Sequence, residues 1–214
     1  MSRRVSIPVA ALAAFSASAS LLSPTTVQSK VPDPRNSTVE PVLVGNPGGH
    51  AMTSVGDPGT NGAPGFLVVL RDINNGNLMN EVIELDFSAA NVRLGTTQSP
   101  GTTVDCTRRV LSKWTDLQGR AVFTPCFGGA TEGPAVLVTG DGVWLAHVPA
   151  RSTDLDGLDG VTGLSDLGRF STAFLTEPHS HPEADFDASG SIGLTDFALF
   201  AGEFLSAASA TYCP

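Results

Sequence analysis

Asp185, Asp187, Ser189, Gly190, Ser191, Ile192 and Asp196 stand at positions 1, 3, 5, 6, 7, 8 and 12 of a twelve-residue stretch. Side-chain oxygens at 1, 3, 5 and 12 fold around one point, and position 7 adds its carbonyl. Glycine at position 6 permits the sharp bend, so the stretch offers the roughly six to eight oxygens that calcium takes. Without a cation, Asp185, Asp187 and Asp196 would repel one another at close range. The spacing therefore predicts a Ca2+ site. Upstream, Asp154, Asp156, Asp159, Gly160 and Asp166 repeat the order once one residue is inserted between positions 3 and 5, with Thr162 in place of Ile192.

The two stretches belong to an internal repeat. Gly163 to Leu175 aligns without gaps on Gly193 to Leu205, thirty residues later, with six of thirteen positions identical. Duplication explains that better than chance. Leu167, Phe170 and Phe174 in the first copy, and Phe197, Phe200 and Phe204 in the second, fall on one helical face. The pattern predicts two helices packed together, the second capped by Thr195 or Asp196.

Other chemistry is weakly supported. His50 and His147 are isolated, and His147 lies in a strand pattern where a structural role outweighs that of a base. No Gly-x-Ser-x-Gly nucleophile elbow occurs. Glu81, Glu84, Asp86 and Asp105 offer carboxylates for a glycosidase pair, but carboxylates along a strand more often form its solvated face. Trp114 and Trp144 suit sugar stacking or, more often, a sandwich core. His179 and His181 read as linker rather than as ligands of a transition metal, and no Cys/His spacing suggests zinc. No catalytic residue is assigned, and the chain reads as a non-enzyme.

Composition narrows the classes. The 214 residues carry 12 basic and 21 acidic side chains, net −9, with 15% charged and 41% apolar residues, 23 glycines and 15 prolines. This balance argues for a loop-rich, β-leaning protein and against nucleic acid or an anionic membrane surface as partner. No apolar run is long enough to span a membrane. The charge is uneven: residues 1–150 carry net −1, whereas 151–214 hold ten acids against Arg151 and Arg169. A segment so acidic, with Leu, Ile and Phe interspersed, expects a cation.

The ends point to export. Arg3 and Arg4, the apolar stretch Val5 to Phe15 and the small residues Ala17-Ser18-Ala19 read as a signal peptide over 1–19, which places the mature chain outside the cell or on its surface. Residues 20–64, rich in Ser, Thr, Pro and Gly, read as flexible linker and loop. Export favours oxidised cysteines, and Cys106 with Cys126 is the expected pair, leaving Cys213 free or intermolecular.

From 65 to 150 the pattern is strand after strand. Phe66 to Leu70 is a short apolar run, and Ile83, Leu85 and Phe87 alternate with Glu84 and Asp86. Arg120 to Thr124, Ala135 to Thr139 and Val143 to Val148 follow, the last two joined by Gly140-Asp141-Gly142 as a hairpin. The expected fold is a β-sandwich followed by a small α module.

Two stretches carry a resemblance. Thr115, Asp116, Gly119, Ala121 and Phe123 resemble the T-D-x-x-G-x-A-x-F run of bacterial immunoglobulin-like and transthyretin-like repeats, which implies a sandwich serving as spacer, stalk or adhesive module. The tandem loops with Asp at position 12, each followed by one helix, resemble the type I dockerin module over residues 154–205. That likeness implies two EF-hand-like loop–helix units with Ca2+ on Asp154, Asp156, Asp159, Asp166, Asp185, Asp187, Ser189, Ser191 and Asp196. It also implies that Leu164, Ser165, Leu194 and Thr195, at positions 10 and 11, face a cohesin domain on a scaffold protein. Dockerins often tether polysaccharide-degrading enzymes, so a polysaccharide is a further expected partner.

Overall fold

The computed structural model describes residues 30–49, 65–176 and 181–214. The signal peptide read over 1–19, the glycine-rich stretch from 50 to 64, His50 and His179 lie outside the described residues. Among the described residues, twelve strands precede two α-helices. They are β1 (Thr38–Val39), β2 (Leu43–Gly45), β3 (Phe66–Val69), β4 (Val82–Asp86), β5 (Arg93–Leu94), β6 (Thr102–Asp105), β7 (Val110–Trp114), β8 (Arg120–Phe123), β9 (Phe127–Gly128), β10 (Val136–Gly140), β11 (Val143–Val148) and β12 (Ala150–Ser152), then α1 (Leu164–Leu175) and α2 (Leu194–Ser206).

A five-stranded antiparallel sheet runs β11-β10-β4-β7-β6, and a three-stranded sheet runs β1-β3-β8. Ile83, Leu85, Leu111, Val136 and Val138 from the first meet Phe66, Val68, Ala121 and Phe123 from the second in one buried core. This arrangement is compatible with a β-sandwich, and it follows from the alternation expected of half-buried strands. Between Gly140 and Val143 the hairpin turns on Asp141 and Gly142, both at positive φ, as a tight turn with right-handed strand twist requires.

The stretch read as linker contains structure of its own. β1 pairs with β3, and β2 pairs in parallel with β12, so this segment supplies an edge to one sheet and a partner for the strand leading into the tail. β6 and β7 are not evident from periodicity, because Thr102-Thr103-Val104-Asp105 holds a single apolar residue and Val110-Leu111 places two buried residues side by side. The Thr115–Phe123 stretch is built locally. Thr115 Oγ1 donates to Leu78 O at 2.7 Å and accepts from Glu81 N, while Asp116 Oδ1 accepts from the backbone N–H of Gln118 and Arg120.

The expected Cys106–Cys126 disulfide is not formed. Cys106 bonds Cys213, closing a loop of 107 residues, and Cys126 is a buried free thiol. The reason lies in the path of the C-terminus. Tyr212 bridges to Gly95, Cys213 N–H donates to Leu94 O at 2.7 Å, and Thr96 N–H donates to Thr211 O at 2.7 Å. The last residues thus return along the β5 edge and carry Cys213 to Cys106. Cys126 instead faces Asn46 and Pro47, its Sγ 3.1 Å from Pro47 O. Burial pushes its thiol up to about 11, which leaves it protonated and unreactive at neutral pH.

Candidate metal centre

Both helices begin at a glycine rather than at the expected Thr195 or Asp196. Gly163 and Gly193 are the N-caps, and the third residue of each helix, Asp166 and Asp196, reaches back so that Oδ2 accepts the glycine N–H at 2.8 Å. The same two carboxylates close their loops. Asp156 N–H donates to Asp166 Oδ1 at 3.0 Å, and Asp187 N–H donates to Asp196 Oδ1 at 3.1 Å. Position 12 therefore does two jobs in each copy: it starts the helix and gathers the loop.

The loops share one backbone path. In the second, Ala188 at position 4 and Gly190 at position 6 have positive φ. In the first, Gly157 and Gly160 have positive φ, with two residues between them where the second loop has one. The extra residue sits between positions 4 and 6, where Leu158 points to solvent, and the inserted residue leaves the path on either side intact. Asp159 then stands where the second loop has Ser189.

The carboxylates converge. Oxygens of Asp154, Asp159 and Asp166 lie within 4.8 Å of one another, as do those of Asp185, Asp187 and Asp196, each group with two buried members and one exposed. Asp156 flanks the first group, with Leu158 N–H on its Oδ1 at 2.9 Å. In the second loop Ser189 Oγ donates to the Ser191 carbonyl at 3.0 Å, bringing positions 5 and 7 together. The donor set is all oxygen, with no sulfur or imidazole, which suits a hard divalent cation rather than zinc or copper. Either group can hold a metal ion.

The buried acids bear the mark of this crowding. Burial pushes the Asp154 carboxyl up to about 6, with the Asp166 charge adding to it against the hydrogen bonds from Tyr212 and Gly157. Asp166 is raised by burial, against donors from Gly163 and Asp156. Asp185 is raised by burial too, despite Arg151 beside it.

Two residues that the pattern of ligands does not announce complete the site. The Tyr212 hydroxyl donates to Asp154 Oδ2, and Arg151 Nη1 lies 3.3 Å from Asp185 Oδ2 with both side chains buried. Their signals in the sequence are faint: Tyr212 is the single tyrosine, and Arg151 is one of two bases in the acidic tail.

The helices meet at the centres of their stripes, while Phe174 and Phe197 are exposed. Phe170 and Phe200 stack at 4.9 Å between ring centres and, with Phe186, Ala173, Ala184 and Leu155, form a second small core. Leu164, Ser165, Leu194 and Thr195 are all exposed at the starts of the two helices.

The remaining candidates are placed elsewhere. Glu84 pairs with Arg108 at 3.6 Å, while Asp86 and Asp105 accept backbone N–H groups of the turns that follow them. His181 Nδ1 lies 2.9 Å from Glu183 Oε1, and exposed His147 meets Trp144 Nε1 at 3.4 Å. Neither tryptophan is core: Trp114 is 64% exposed and Trp144 55%. Among the described residues no helix is long and apolar enough to cross a membrane. No family model, no curated protein and no solved structure matches the chain.

Proposed function

We propose that this chain is an exported, non-catalytic calcium-binding protein in which an immunoglobulin-like sandwich carries a dockerin-like tail for attachment to a partner protein. The observation that carries the reading is the duplication of one loop geometry. Two loops of different length bend at positive φ at the same two places and gather three carboxylates each. Three carboxylates gathered at one point are unfavourable when no cation, or in the second loop only Arg151, offsets them, so a divalent cation is the simplest reason for keeping them. The exposed residues Leu164, Ser165, Leu194 and Thr195 form the proposed face for a cohesin-like domain.

A calcium titration of the oxidised full-length chain tests this. Two ions should bind, with dissociation constants on the order of micromolar to sub-millimolar, and Asp185→Ala should remove one. No binding at millimolar calcium overturns the reading. For the attachment role, a panel of immobilised cohesin domains should retain the chain in calcium and release it in chelator. Replacing all four face residues by alanine should abolish retention, and retention unaffected by that change would refute the assigned face.

The tryptophans favour a second reading, in which the sandwich holds a polysaccharide. Both project from the five-stranded sheet, Trp114 opposite Val82 and Trp144 opposite Thr139, where an exposed indole is available for stacking on a sugar ring. Replacing both by alanine should weaken retention on insoluble polysaccharide by roughly tenfold. Equal retention of the wild-type chain and the double variant would leave the sandwich as a spacer.

A further inference from the structure

Arg151 enters the second loop from outside it. Its backbone belongs to β12, where it stands opposite Val44 of β2, while its guanidinium lies against the position 1 carboxylate of the loop. Arg151 and Asp185 are 10% and 7% exposed, so solvent does little to weaken the pair. Nη1 forms no hydrogen bond of good geometry there, which leaves charge as the interaction that holds it. The charges of Asp196, Asp187 and Glu183 also act on the guanidinium.

The first loop is set differently. Its position 1 carboxylate accepts a hydrogen bond from the neutral Tyr212 hydroxyl, and its three converging acids, Asp154, Asp159 and Asp166, have a fourth, Asp156, flanking them, whereas the three of the second loop have Arg151 beside them. It is also more firmly held. A side chain at Gly157 would meet the backbone of Gly129, and one at Gly160 would meet Ala210 O, whereas Gly190 faces open space. Affinity for calcium follows the number of ligand charges and the rigidity of the loop, and on both counts the first loop leads.

We infer that Arg151 is a tethered counter-ion that lowers the calcium affinity of the second loop, so that the irregular first loop is the tighter site. This rests on the calcium reading above and reverses the order that regular spacing would suggest. Calcium entering the second loop must share Asp185 with a fixed positive charge, or displace it. Release of that contact would loosen the join between the second loop and β12.

The test is calorimetric titration of the oxidised full-length chain with calcium. Asp159→Asn and Asp187→Asn each alter an exposed ligand, so both chains should fold. The first should lose the tighter binding phase and the second the weaker. Arg151→Gln keeps a donor beside Asp185 without the charge, and Arg151→Met removes both. Either should tighten the weaker phase by roughly tenfold or more and leave the other unchanged, whereas Arg151→Lys should keep the wild-type order. Loss of the tighter phase in Asp187→Asn would overturn the inference, as would an unchanged weaker phase in a folded Arg151→Gln or Arg151→Met chain. Absence of any calcium binding by the wild-type chain would instead remove the calcium reading on which it rests.

Discussion

Replacement of Cys213 by serine is expected to lower the unfolding free energy by about 4 to 5 kcal/mol, the contribution of a cross-link that closes a loop of this length. The effect should reach beyond global stability, because the cross-link anchors the residue before it. Tyr212 is held between the bridge to Gly95 and the Cys106–Cys213 bond, and its hydroxyl fixes the position 1 carboxylate of the first loop. Freed from that anchor, Asp154 loses a partner that orients it, and calcium affinity at the first loop should fall several-fold while the second loop is unchanged. Tyr212→Phe separates the two effects, since it removes the hydroxyl and leaves the disulfide. It should reproduce most of the loss of affinity with a smaller stability change, about 1.5 to 3 kcal/mol. Denaturant unfolding and calcium titration of the three chains provide the readouts. If wild-type protein unfolds at the same denaturant concentration with and without reductant, the disulfide has no such role.

The same contacts determine how the tail should be studied. Ala210 N–H donates to Gly160 O at 2.7 Å, Ser209 bridges to Val161, and β12 runs directly from the sandwich into the first loop. A fragment beginning at residue 151 would carry Arg151 without its strand partner Val44 and Cys213 without Cys106. The loops and helices are therefore best measured in the full chain.

What could be read from residues alone divides along the range of the interaction. The carboxylate sets were legible because ligand spacing is local: twelve or thirteen consecutive residues bend around one point. The helical stripes were legible for the same reason, and Phe170 and Phe200 meet where the pattern puts them. The cap of the second helix is Gly193 and not Thr195 or Asp196, since an Asp at the third helical position can bond the N–H of a preceding glycine as well as a cap can. Contacts spanning the chain left little trace. Nothing in the spacing of three cysteines says that the C-terminus returns to β5, so nearness in sequence suggested Cys126 as the partner of Cys106. Arg151 is one of two bases in the acidic tail, and nothing local to it says that β12 aims it at Asp185. The exposure of Trp114 and Trp144 depends on which face of the sheet is covered, and an aromatic on a strand does not specify that.

Acidification is expected to move the calcium-free and calcium-loaded proteins in opposite directions. Without calcium, the buried carboxyls of Asp154, Asp166 and Asp185 have pKa values raised above those of the unfolded chain, Asp154 to about 6. The folded state then binds protons that the unfolded state has released. Its stability falls as pH rises from about 4 through about 6 and is lowest above that range. With calcium, the same groups must be ionised to serve as ligands, so protons compete with the ion. Affinity at the first loop should drop roughly tenfold for each pH unit below about 6 for every proton displaced. Other carboxylates titrate in both forms, so the informative quantity is the difference between the two melting temperatures. That difference should be large at pH 7.5, shrink steadily below pH 6 and vanish near pH 4.5, each to within about half a unit. Melting curves recorded in excess calcium and in chelator across this range measure it directly. A difference independent of pH would mean that the ion does not bind through these buried carboxylates.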